Sequence, residues 1–114
     1  MTPAELEQAA IASLSDEERS HAVVYMSDRV LEPADELEID GRRMQVDAPA
    51  VVAFVDLEPG VNWGHRSRYL LVDRDSGSVH AVDAQFPPFL RGMPPDLRVI
   101  YAAPGVPEWA VASA

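Results

Sequence analysis

Asp40-Gly41 lies between two short runs, Leu37-Glu38-Ile39 and Arg42-Arg43-Met44, and this commits the chain to at least one tight β-hairpin. A two-residue turn there sets Ile39 opposite Arg42, Glu38 opposite Arg43 and Leu37 opposite Met44. That register gives a charge pair on one face and an apolar pair on the other, so turn chemistry and cross-strand chemistry agree.

The rest of the chain reads around that hairpin. Pro49 ends its ladder, and the apolar run Ala50 to Leu57 reads as a central strand buried on both faces. Glu58-Pro59-Gly60 turns the chain, and a polar loop leads into a strand from Ser67 to Asp73. Arg74-Asp75-Ser76-Gly77 is a turn, with Ser78 to Asp83 returning. A four-residue loop sets Leu70 opposite Ala81, Val72 opposite Val79 and Arg68 opposite Asp83. Leu97 to Tyr101 supplies one last strand. Ala22-Val23-Val24-Tyr25-Met26 is read as a strand for its β-branched residues, although it can also finish a helix begun at Asp16. Leu31 to Asp35 reads as a loop.

Residues 1–20 form a helical segment. Thr2, Pro3 and Glu5 make a helix start, with Leu6, Ala10, Ile11 and Leu14 on one face. Ser15-Asp16-Glu17-Glu18 repeats the capping signal, so the helix restarts or kinks. From Pro87 onward lie six of the ten prolines, which force extended or turning backbone. Residues 104–114 read as a loose C-terminal tail with Trp109 as its anchor. At 114 residues this is one domain, 1–114. The expected class is mainly β (α+β), a small antiparallel sheet or sandwich of five to seven strands with an N-terminal helix.

Composition excludes some chemistry. There is no cysteine, so disulfides, thiolate metal sites and cysteine nucleophiles are absent. There is no lysine, so no side-chain amine serves a Schiff base or a Walker-type phosphate contact. Arginine codons of a GC-rich bacterial genome explain that bias. The net charge is −10 and is uneven. Residues 1–40 hold eleven Asp or Glu against two Arg, and residues 41–114 hold eight against seven. An acidic first third disfavours nucleic acid and anionic membranes and suits a basic protein partner, or simply keeps the protein soluble. Met1 to Glu7 has no basic n-region followed by an apolar stretch, so a cytoplasmic location is expected.

One stretch concentrates chemistry. Asn62, Trp63, His65, Arg66 and Arg68 place an amide, an indole, an imidazole and two guanidinium groups within seven residues. Trp and Arg favour binding surfaces, and Arg suits a carboxylate or phosphate. The structural alternative is Trp63 plugging the core end while the polar residues cap strands. On the binding alternative, Trp63 is partly exposed and His65 and Arg66 lie at the surface. His21, His65 and His80 lack metal-site spacing. A His65–Asp73–Ser67 triad lacks a nucleophile elbow. Asp73, Asp75 and Gly77 fail calcium-loop spacing. Phe86 and Phe89, flanking doubled prolines, read as core plugs.

No cofactor and no metal are expected. The leading expectation is a non-enzymatic interaction protein of accessory or inhibitor type, with a protein partner. The alternative is a small enzyme or ligand-binding protein with its site at the Asn62–Arg68 loop. A third reading has a partner pairing with an exposed strand edge.

Overall fold

Two capping boxes open the structure, a computed structural model that describes residues 1–61, 64–86 and 96–111. The Thr2 hydroxyl accepts the Glu5 N–H, and the Glu5 carboxylate accepts the Thr2 N–H, starting α1 (Pro3–Ala12). Ser15 and Glu18 repeat the arrangement for the four-residue α2 (Asp16–Arg19). The restart anticipated at Ser15 is therefore real.

Seven strands follow: β1 (Val23–Leu31), β2 (Glu36–Ile39), β3 (Arg42–Gln45), β4 (Ala50–Asp56), β5 (Ser67–Asp73), β6 (Val79–Ala84) and β7 (Leu97–Ala102). Five form one antiparallel sheet in the order β6-β5-β4-β1-β7, and β2 and β3 form a separate hairpin. The protein is thus mainly β, with antiparallel pairing throughout.

The hairpin register matches the sequence expectation at all three pairs. Asp40 and Gly41 both have positive φ, +52° and +79°, as a type I′ turn requires. The β5–β6 register also matches, with Arg68 opposite Asp83, Leu70 opposite Ala81 and Val72 opposite Val79. β1 is longer than expected. Leu31 belongs to it and not to the following loop, because a register shift between Met26 and Val30 carries the strand past the polar residues Ser27, Asp28 and Arg29.

The sheet has apolar side chains on both faces. On one face Leu6, Ala10 and Leu14 of the helical segment meet Val24, Met26, Val51, Val55, Leu70 and Val72. On the other, Tyr25, Phe54 and Tyr69 stand side by side on β1, β4 and β5. Their ring centroids are 6.1 and 5.2 Å apart, the second pair meeting edge to face. The hairpin covers part of this second face through Ile39, which is fully buried, with Leu37 and Met44 beside it. Strand alternation explains the division, since odd and even positions of β4 serve opposite faces.

The tail reaches the second face through Val106 and Val111, whereas Trp109 is 77% exposed on a single 3₁₀ turn, Glu108–Ala110. Among the described residues no helix is long and apolar enough to cross a membrane.

Candidate functional site

Beside the part of the second face that the hairpin covers, the described residues enclose a cleft of about 460 Å³ between sheet and hairpin. Val52, Phe54 and Tyr69 of the sheet, Leu31 and Leu97 at its border, and Leu37 of the hairpin wall it. Its size and apolar lining fall within the range of ligand-receiving pockets. Phe86 also lines it and is 45% exposed, so the core-plug reading of this residue is incorrect. The Phe86 ring lies against Gly64, where a Cβ would stand 3.0 Å from Cε1. Phe89 lies outside the described residues.

Asp40 forms one end of the cleft. At the hairpin tip its Oδ2 accepts the Gln85 N–H at 2.8 Å and its Oδ1 accepts the Phe86 N–H at 3.2 Å. This ties the turn to the end of β6. Burial, with the Asp40 carboxylate nearby, pushes the Tyr69 hydroxyl up to about 12. Tyr69 is therefore a neutral hydrogen-bond donor at physiological pH, and its hydroxyl donates to the Phe86 carbonyl at 3.2 Å.

Beyond Asp40 lies a second, polar hollow lined by Arg42, His65, Arg66, Ser67 and Asp83. His65 is buried here, contrary to the surface position expected on the binding alternative. Its Nε2 donates to Asp56 Oδ1 at 2.9 Å, and its backbone N–H donates to the Gln85 carbonyl at 2.8 Å. Asp56 Oδ1 also accepts the Glu58 N–H at 3.0 Å. Burial raises the Asp56 carboxyl above its usual range, and these bonds and the His65 ring oppose that rise. Ser67 donates to the Ala84 carbonyl and not to His65, so these neighbours are not wired as a nucleophile and base.

Of the five sequence-chosen residues, the three that are described are divided between two faces of the sheet. Asn62 and Trp63 lie outside the described residues. His65 and Arg66 share the polar hollow, with Arg66 exposed and its backbone N–H on the Glu58 carboxylate. Arg68 points to the helix-bearing face. Its Nη1 and Nη2 hold the two Glu18 oxygens at 3.3 and 2.8 Å, and its Nε lies 3.6 Å from Asp83. The cross-hairpin pair with Asp83 thus exists but is secondary to Glu18. The signal for that displacement is strand alternation, which puts Ser67 and Tyr69 on one face and Arg68 on the other.

The acidic first third is also divided. Glu7 and Glu18 are paired with Arg98 and Arg68 on the helix-bearing side, while Glu36, Glu38 and Asp40 sit on the hairpin. His21 donates from Nδ1 to the Leu57 carbonyl at 2.9 Å, and His80 is exposed opposite Leu71. Among the described residues no group of three or more His, Asp or Glu can hold a metal ion.

Comparison of the chain with family models, curated proteins and solved structures gives no match.

Proposed function

We propose that this chain is a small, non-enzymatic interaction protein whose docking site is the cleft between sheet and hairpin. The observation that supports it is the contrast between the cleft and its surroundings. The cleft is walled by apolar side chains, whereas His65 and Asp56 beyond it, and Arg68 on the opposite face, are committed to partners within the fold. A protein partner that inserts an apolar group gains about 25 cal/mol for each Å² it removes from water there. The division of the acidic third between two sides of the sheet favours this cleft over one broad acidic face.

Nile red, a neutral apolar dye, tests the site. It is expected to brighten and shift to the blue on the wild-type protein and to stay dark on Leu37→Glu. Dye that ignores the wild type, or binds the folded variant equally well, removes the cleft as a docking site.

A second reading keeps a ligand at the polar hollow. Arg42 lines it beside His65 and Arg66, and no carboxylate among the described residues lies within ion-pair distance of Arg42. A carboxylate or phosphate ligand there is expected to lose affinity in Arg42→Ala with Arg66→Ala, while Nile red binding is unchanged.

A further inference from the structure

Four charged residues border the apolar cleft: Glu38, Asp40, Asp96 and Arg29. They are not equivalent. Asp40 is occupied by two backbone N–H groups. Asp96 is half-buried and fixed, because the buried Ser27 hydroxyl donates to its Oδ2 at 2.7 Å. Glu38 is exposed on β2 and borders the cleft from the hairpin. Elsewhere Glu7, Glu18 and Asp28 each have an arginine against them. Neither Glu38 nor Asp96 has a basic partner within ion-pair distance among the described residues. Arg29 reduces the local negative charge without cancelling it, so the mouth carries a formal excess of two carboxylates.

On the reading of the cleft as a docking site, we infer that its occupant is a protein segment that inserts an apolar side chain and sets arginine or lysine on either side of it. The apolar anchor fills the space over Val52 and Phe54, and the flanking cations meet Asp96 on the sheet side and Glu38 on the hairpin side. Two carboxylates on separate walls suit a segment that spans the mouth better than a single small cation. A carboxylate-bearing occupant meets the same pair as repulsion. Opposed charge of this kind selects partners and speeds encounter more than it adds affinity.

Three acetylated, amidated tetrapeptides test this: Arg-Leu-Phe-Arg and its Gln-flanked and Glu-flanked counterparts. Binding is read from the backbone amide resonances of the cleft residues in the full chain. The arginine peptide is expected to bind roughly tenfold tighter than the glutamine peptide, the size of two partly exposed charge contacts, and the glutamate peptide weakest. Glu38→Gln with Asp96→Asn, which leaves an oxygen for Ser27, is expected to erase the arginine preference while keeping the fold. Equal affinity for all three peptides at the cleft overturns the charge preference and leaves the docking site standing. Peptides that leave the cleft resonances unmoved, where Nile red does bind, overturn the protein segment as occupant. A decyltrimethylammonium ion binding more tightly than the arginine peptide reassigns the cleft to small cations.

Discussion

Asp40 and Gln85 are 45 residues apart in sequence, yet the Asp40 carboxylate takes the Gln85 backbone N–H at 2.8 Å. A turn residue therefore shapes its own hairpin and also fastens that hairpin to the main sheet. The two roles separate by substitution. Asp40→Gly keeps the positive φ and loses the carboxylate, and is expected to cost about 1–2 kcal/mol. Asp40→Ala loses the carboxylate and adds backbone strain, and is expected to cost about 1 kcal/mol more. Denaturant midpoints give the costs, and faster hydrogen exchange at Gln85 and Phe86 identifies the lost fastening. Unchanged exchange at both amides contradicts it.

Gly41→Val isolates the turn. Apart from its two chain neighbours, no described residue comes within 4 Å of a Cβ built at Gly41, so the cost comes from backbone strain at φ +79°. The expected loss is about 1–3 kcal/mol in chemical denaturation. A midpoint equal to wild type would mean that the turn carries no strain.

The buried His65–Asp56 pair separates charge from hydrogen bonding. Asp56→Asn retains an acceptor for the His65 and Glu58 N–H groups and removes a buried charge, so stability is expected to stay within about 1 kcal/mol of wild type at neutral pH. Asp56→Ala strands both donors and is expected to cost about 2–4 kcal/mol. Equal losses in the two variants would contradict this account. The raised Asp56 carboxyl takes up a proton more readily in the folded state than in the unfolded one. Its protonation therefore favours the fold as pH falls.

Glu18 acts in the opposite direction. The Arg68 guanidinium and the Ser15 N–H lower its carboxyl to about 2, from an ordinary 4.5. The stability it confers is complete above about pH 4.5 and is lost as pH falls toward 2. Wild type is expected to lose more stability over that interval than Glu18→Gln. A double-mutant cycle of Glu18→Gln and Arg68→Ala at pH 7 is expected to give a coupling of about 1–2 kcal/mol, reflecting a two-pronged, partly buried pair. Parallel acid profiles for wild type and Glu18→Gln would show that the pair does not govern this interval.

What the sequence revealed was local. Both capping boxes, the Asp40-Gly41 register and the β5–β6 register depend on residues close in the chain, where spacing alone decides the geometry. The missing pieces depend on distant partners. Hairpin spacing brings Arg68 to Asp83, but Glu18 arrives from α2. A binding role for the Asn62–Arg68 loop places His65 at the surface, and the structure buries it. The signal that spoke against this was Asp56, a carboxylate at the end of an otherwise apolar strand and in need of a buried donor. The cleft was invisible in the sequence, because its walls come from β1, β2, β4, β5 and β7.

β1 lies between β4 and β7, with Val23 facing Asp56 on one side and Ala102 on the other. During synthesis this strand leaves the ribosome before both of its neighbours, and β7 follows well after β4. Until then, the nascent protein carries Val23-Val24-Tyr25-Met26 with one hydrogen-bonding edge open, a stretch that is wholly buried in the finished sheet. β7 closes that edge, so this segment is most prone to aggregate between the arrival of β4 and that of β7.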